Sequence, residues 1–424
     1  MTTALRGAAH WRLWGHLGAA FAVLRNVPIA IFCLLRWRVL ACSIGLGRWK
    51  QPRGFENGIR FGRRRPREVP WVTRWIPTRH GYRFTIWLRR GDTHDDLINR
   101  LDALSLGLRG KARLVPVPGK PWRVTVHVMR RDPFAKPVPA PRPLTTTSVR
   151  VGITELGAPF ILDFRDNPHL LIAGTTGSGK SGALAALLSA LAATDAVIVM
   201  IDPKWGIGAA PMRPRASVIA ESRVEASALL ADLLTLAGIR ALEVKAGGVE
   251  NTWQLPHPPP EIYCFVDEVA ELLVGGTTEE TAAAKQAMSQ LVRVAQLTRA
   301  LGVHLIVSGQ RFGAQQGAQV TSLRAQLGGR VCFRTNDIET ANMVLGDTAA
   351  DAAFAAVEIS AKVPGCGVSN TGSNHWEVAR FAYVPHADLR PVALENATKN
   401  IEWHQLMAVP EPPVRLAHPG QLSA

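Results

Sequence analysis

Gly174-Thr175-Thr176-Gly177-Ser178-Gly179-Lys180-Ser181 satisfies G-x-x-x-x-G-K-[ST] in full. It follows the apolar run Leu170 to Ala173 and precedes an alanine- and leucine-rich stretch of helical pattern. Strand, glycine loop and helix in that order aim successive backbone N–H groups and the positive end of a helix at one point, where phosphate oxygens can sit. Gly174, Thr175, Thr176, Gly177, Ser178 and Gly179 are therefore expected to cradle phosphate. Lys180 is expected to reach the β and γ phosphates, and the Ser181 hydroxyl to meet Mg²⁺. The pattern predicts a chain that binds ATP or a similar nucleoside triphosphate.

Outward from the loop, the next chemical signal lies 87 residues after Lys180, where Tyr263-Cys264-Phe265-Val266 runs into Asp267-Glu268. Two carboxylates at the end of a hydrophobic strand have separable tasks. Asp267 is expected to hold Mg²⁺ through its water shell, and Glu268 to point at the attacking water as general base. The two motifs together predict hydrolysis, not binding alone. The run Val303 to Ser308 ends in Gly309-Gln310-Arg311, which makes Gln310 the candidate to sense the γ-phosphate. Met200-Ile201-Asp202-Pro203-Lys204 ends another strand on the same sheet edge, where open α/β folds bind ligands; a plain Asp-Pro turn explains it equally well.

Apolar runs at 170–173, 196–201, 262–266, 303–308 and 330–334 alternate with helical patterns at 181–193, 224–237 and 279–300. Near-continuous apolar strands separated by helices predict an α/β domain with a mostly parallel sheet covered on both faces, placed at residues 149–390. Pro133 to Pro143 holds five prolines in eleven residues and reads as a stiff linker, 133–148. Residues 70–132 show short alternating strands around one helix capped by Asp92 or Thr93, a small α+β domain. Residues 391–424 form a proline-rich tail, too short for another domain.

The first 69 residues are apolar but repeatedly interrupted by charge. The best window, Gly15 to Leu35, carries ten strongly apolar residues with Arg25 at its centre. At about −0.3 to −0.6 kcal/mol for each apolar residue and about +2.5 to +3.5 for the arginine, insertion is near break-even. A clean transmembrane span is not expected. Trp11, Trp14, Trp37 and Trp49 beside the basic run Arg48 to Arg67 suit a helix lying at the cytoplasmic face of a membrane, or an amphipathic arm that binds a partner. Arg36 and Arg38 stand where a signal peptide would need small residues.

The net charge of +16 belongs to the front. Residues 1–150 hold 29 Lys+Arg against 7 Asp+Glu, or +22; subtracting from totals of 49 and 33 leaves 20 against 26, or −6, for the remainder. Such a block faces nucleic-acid phosphates, an anionic membrane surface, or only solvent. Arginine outnumbers lysine 39 to 10, which a GC-rich genome explains as readily as phosphate recognition. Five scattered cysteines without a C-x-x-C pair suggest reduced core thiols, neither a zinc site nor a disulfide framework.

These motifs resemble those of the FtsK/SpoIIIE DNA translocases, including the transfer (Tra) proteins of conjugative plasmids and integrative elements. The resemblance rests on Pro168-His169-Leu170-Leu171-Ile172-Ala173-Gly174 leading into the phosphate loop, on Ile201-Asp202-Pro203-Lys204, Val266-Asp267-Glu268 and Ser308-Gly309-Gln310-Arg311, and on Arg330-Val331-Cys332-Phe333. It covers roughly Gly81 to Pro385, and Pro118-Gly119-Lys120-Pro121-Trp122 in the small domain is similar to the module that precedes the family's motor. The resemblance implies a RecA-like P-loop NTPase core, a hexameric homo-oligomer around double-stranded DNA, ATP at subunit interfaces, and an arginine supplied in trans. Arg330 matches the family's arginine at that strand, with Arg324 as the alternative, and Phe312 to Gln319 lies where a pore loop tracks DNA. The family's chromosome-segregating members carry clear membrane spans and a C-terminal winged helix, which this sequence does not match, so sequence-directed loading implies a partner protein.

The reading that follows is an ATP-driven translocase of double-stranded DNA for transfer of a mobile element between cells. A protein-secretion ATPase of the same superfamily and a nucleotide-gated tether without sustained turnover are its rivals.

Overall fold

The computed structural model describes residues 22–50, 54–56, 59–61, 65–273, 277–310, 312, 318–346, 350–371 and 376–407. Trp11, Trp14, Arg311 and most of the Phe312 to Gln319 segment lie outside the described residues. Residues 1–137 with 154–158 make one unit, and 138–153 with 159–424 make the other.

In the first unit, β1 (Trp71–Pro77), β2 (Gly81–Trp87), β3 (Lys111–Pro116) and β4 (Arg123–Met129) form an antiparallel sheet of order β1-β2-β4-β3. The expected single helix is broken into α2 (His94–Ile98) and α3 (Leu101–Gly107), with Thr93 as N-cap of the first in a capping box with Asp96. One face of the sheet is apolar by alternation: Tyr82, Phe84, Ile86, Val124, Val126 and Val128 are all buried on it.

That same core contains a helix the sequence reading left outside the domain. The segment α1 (Val27–Ser43) opens with Pro28 in its first turn, and its Ala30, Cys33, Trp37 and Ala41 are buried among the sheet residues. Their spacing of three or four puts them on one stripe. Trp37, grouped in the sequence with interfacial aromatics, is only 3% exposed, meets Phe84 edge-on with centroids 5.6 Å apart, and donates its indole N–H to the Pro70 carbonyl at 2.8 Å. Asn26 is fully buried and donates to the Thr78 carbonyl at 2.9 Å. Among the described residues no helix is long and apolar enough to cross a membrane.

The second unit is built on one large mixed sheet. Its strands are β5 (Ser148–Thr154), β6 (Pro159–Asp163), β7 (Leu170–Ala173), β8 (Val197–Ile201), β9 (Val218–Ala220), β10 (Ile262–Val266), β11 (Val303–Gly309), β12 (Gly329–Phe333), β13 (Cys366–Asn370) and β14 (Glu377–Phe381). They are ordered β6-β5-β14-β13-β12-β7-β11-β10-β8-β9. The run from β12 to β9 is parallel, while β13 and β14 turn back antiparallel. In the expected proline-rich linker, Arg142–Pro143 pairs with Val149 and Arg150 as a further edge strand.

Alternate residues of each central strand feed different cores, which is why the apolar runs are continuous. Leu171, Ala173, Val199, Cys264 and Val266 join one cluster with α5 (Arg223–Ala246), α6 (Thr278–Leu297), α7 (Ala318–Gln326), α8 (Ile338–Leu345) and α9 (Ala350–Val357). Leu170, Ile172, Ile198, Met200, Tyr263 and Phe265 join the other with α4 (Lys180–Ala192) and α10 (His386–Glu395). The parallel strands all end on one edge, and that edge carries the site.

Candidate nucleotide site

The phosphate loop leaves β7 and is tied to two strands on one side of it, the end of β12 and the start of β13. Thr175 gives both its backbone N–H and its hydroxyl to the Arg334 carbonyl, at 3.1 and 3.0 Å, just beyond β12. From the start of β13, on the same side, Gly365 donates its N–H to the Ser178 carbonyl at 2.9 Å. This clamp explains the glycines. At Gly179, φ is +108° and a Cβ would sit 2.2 Å from the Gly365 nitrogen; at Gly174 a Cβ would lie 2.6 Å from Phe333 Cβ. Gly179 then serves as N-cap of α4, which begins at Lys180 and puts Ser181 in its first turn. The Ser178 hydroxyl is buried within the loop without a hydrogen-bond partner.

The acid pair comes to the loop because β11 lies between β7 and β10 in parallel register, Ala173 opposite Gly309 and Val266 opposite Val307. Asp267 and Glu268 leave β10 at the level of Ser308 and Gly309, just before Gln310. Glu268 has φ +47°, a strained left-handed conformation for a non-glycine residue. Its carboxylate accepts Lys180 Nζ at 3.0 Å, the Gln310 backbone N–H at 3.1 Å and Gln310 Nε2 at 3.4 Å. With side-chain exposures of 11% and 7%, Lys180 and Glu268 form a shielded ion pair. Ser308 donates its hydroxyl to Asp267 Oδ1 at 3.2 Å and receives the Glu268 N–H at 3.4 Å. Lys180, Asp267, Glu268 and Gln310 thus lie in one connected network.

Asp202 lies at the same strand edge and makes the turn its sequence allowed. Its carboxylate accepts the N–H groups of Lys204 (3.2 Å), Gly208 (2.8 Å) and Ala209 (3.1 Å), so it straps the following loop. It also faces Asp267: a Cβ on Gly208 would lie 3.2 Å from Asp202 Oδ2 and 3.4 Å from Asp267 Oδ2. Burial first, and the Asp202 carboxylate second, push the Asp267 pKa above its ordinary value, against the pull of Lys180, Ser308 and Lys204. Two crowded carboxylates, Asp202 buried and Asp267 partly so, are a charge distribution that a hard divalent cation relieves, and carboxylate and hydroxyl oxygens are the donors Mg²⁺ takes. The Asp267 carboxylate, and the Ser181 hydroxyl in the first turn of α4, are oxygen donors of the kind that cation takes.

Arg330 is not brought to this network within one chain. It sits opposite Leu171, three residues before its strand ends at Phe333, and its guanidinium donates to the carbonyls of Leu327, Val344 and Arg324. Arg324 donates to the Phe312 carbonyl at 3.2 Å. The two arginines line an open depression of about 580 Å³ with Ile338, Glu339 and Met343.

With this geometry in place, the comparisons with known proteins are specific. The profile of the FtsK/SpoIIIE family matches residues 135–238. The transfer protein TraSA of Streptomyces ambofaciens is 34% identical over 340 residues, which are 76% of this chain and 80% of that protein. The DNA translocase FtsK of Chlamydia muridarum is 26% identical over 289 residues, 59% of this chain but only 34% of its own length. Among solved structures, the pCW3 conjugation coupling protein TcpA in its monomer form with ATPγS superposes with a TM-score of 0.54 at 20% identity, over 78% of this chain and 93% of that one, and so shares the fold. The chain belongs to the FtsK/SpoIIIE family and is one of its P-loop ATPases.

Proposed function

We propose that this chain is an ATP-driven translocase of double-stranded DNA that serves transfer of a mobile element between cells. The observation that carries the reading is the network joining Lys180, Glu268, Gln310 and Asp267 across three adjacent strand ends. It supports hydrolysis, because both the phosphate-binding lysine and an oriented acid are in place. The similarity to a transfer protein over most of both chains favours DNA as the substrate.

In this proposal the loop from Gly174 to Gly179 and Lys180 bind the triphosphate, and Ser181 and Asp267 hold Mg²⁺. Glu268, released from Lys180 when the phosphates arrive, takes the proton of the attacking water, and Gln310 senses the γ-phosphate through its contact with Glu268. Arg330, or Arg324 beside it, is the proposed trans-acting group of a hexameric ring, with the depression between α7 and α8 open to a neighbouring copy. DNA contacts are to phosphates and independent of sequence, so loading at a defined site falls to a partner protein.

A membrane surface is the proposed location of the first unit. Ile31, Leu35 and Val39 are exposed on the face of α1 opposite its buried stripe, and Arg36 and Arg38 flank them.

The test is steady-state ATPase activity of the full chain with and without long duplex DNA, at low and moderate salt, with Lys180→Ala as control. A salt-sensitive rise on DNA that disappears in the variant is expected. No rise at any salt, in a preparation shown to assemble, refutes the translocase; stimulation only by a protein substrate supports secretion, and slow unstimulated turnover supports a tether.

A further inference from the structure

Tyr383 is 81% exposed, although it lies in the segment leaving β14, next to the phosphate loop. Gly365, which donates to Ser178, accepts the Phe381 N–H at 2.8 Å, so the end of β14 is tied to the loop and Tyr383 follows two residues later. A Cβ built on Gly182 would lie 4.0 Å from Tyr383 Cδ2, and no other atom comes that close. Gly182 directly follows Ser181, so the phenol ring stands beside the first turn of α4, over a position with no side chain.

The sheet order shows which part of a nucleotide reaches this ring. Relative to β7, the strands β11 and β10 that carry Gln310 and Glu268 lie on one side, and β12, β13 and β14 lie on the other. A triphosphate laid on the loop with its terminal phosphate at Lys180 and Glu268 therefore points its nucleoside end toward β14. An exposed aromatic ring standing there, beside a glycine that adds no side chain of its own, offers a flat apolar wall to a base.

We infer that Tyr383 is the residue on which the base of the bound purine nucleoside triphosphate stacks. The inference rests on the nucleotide reading of the phosphate loop. A stacking wall is indifferent to ring substituents, so Tyr383 contributes affinity for ATP and GTP alike and does not choose between them.

The experiment is isothermal titration of the full chain with ATP and, separately, with inorganic tripolyphosphate, which has no base. Wild type, Tyr383→Ala, Tyr383→Phe and Lys180→Ala are compared. At this exposed position Tyr383→Ala is expected to fold and to weaken ATP binding by about ten- to hundredfold, the scale of one lost base–aromatic stack. Tyr383→Phe is expected to stay within about twofold of wild type, because the ring face and not the hydroxyl makes the contact. Tripolyphosphate affinity is expected to be the same in wild type and Tyr383→Ala. Two results overturn the inference: ATP affinity unchanged in Tyr383→Ala, which together with altered assembly makes the ring an interface residue, or equal losses for ATP and tripolyphosphate. If wild type binds neither ligand while remaining folded, the nucleotide reading itself fails and this inference falls with it.

Discussion

Glu268→Gln should separate binding from hydrolysis, in opposite directions. In the structure Lys180 is committed to Glu268 at 3.0 Å, so an arriving triphosphate has to take the lysine from a carboxylate that already holds it. The glutamine keeps an oxygen at that position but loses the charge. A hydrogen bond to a charged group contributes about 1.5–3 kcal/mol; the bond from the Lys180 ammonium to the amide oxygen stays charge-assisted but loses the opposite charge, so the substitution lowers the cost of freeing Lys180 by up to about 1.5 kcal/mol. At about 1.4 kcal/mol per decade, ATP should bind up to about tenfold more tightly. The proton acceptor is gone, and turnover should fall by about 10²- to 10⁴-fold. The assay pairs titration calorimetry of ATP with steady-state phosphate release on the same preparation. Turnover within a few-fold of wild type removes Glu268 as general base. Weakened ATP binding refutes the competition between Glu268 and phosphate for Lys180.

Other consequences can be checked independently. The folded Asp267 carboxyl binds its proton more tightly than the unfolded one, so its ionisation costs stability as pH rises from the ordinary carboxylate value through the folded one. Asp267→Asn should therefore raise the melting temperature at pH 7, less so near pH 4, while Mg²⁺-dependent nucleotide binding is lost; a lower melting temperature at pH 7 counts against the crowding with Asp202. Gly179→Ala places a methyl group 2.2 Å from the Gly365 nitrogen at a left-handed φ, so the loop must deform. Calorimetry should show ATP affinity reduced by more than about tenfold, a loss the strain account cannot survive without. Trp37→Ala empties a buried site and leaves the Pro70 carbonyl without its donor, a loss of about 3–5 kcal/mol in denaturant unfolding of the first unit; a change below about 1 kcal/mol contradicts the packing of α1.

The motor fold was legible because its information is local. Leu170–Ala173, Ile262–Val266 and the helix after Ser181 lie within a residue or so of where their patterns placed them. Sequence order alone also predicted that Lys180, Asp267, Glu268 and Gln310 share one edge, since parallel strands end together. What could not be read was set by pairing across long separations. Nothing near Gly365 or Tyr383 in the sequence announces that β13 and β14 return beside the phosphate loop. The three backbone N–H groups that Asp202 collects come from a loop with no periodic signal. Helix α1 was misread for a similar reason: its apolar residues are divided between a buried stripe and an exposed one, and hydropathy sums the two.

The burial of Trp37, Cys33 and Ala41 also decides how force passes through the first unit. A helix hung on a loose connector acts as a leash, which goes taut only after slack is taken up. Here one side of α1 is part of the wall on which Tyr82 and Phe84 rest, so a grip on its outer side is a grip on the β-sheet itself. Whatever holds that outer side, recoil reaches the sheet as a push on a rigid handle and is borne by a packed core, not by chain stretching.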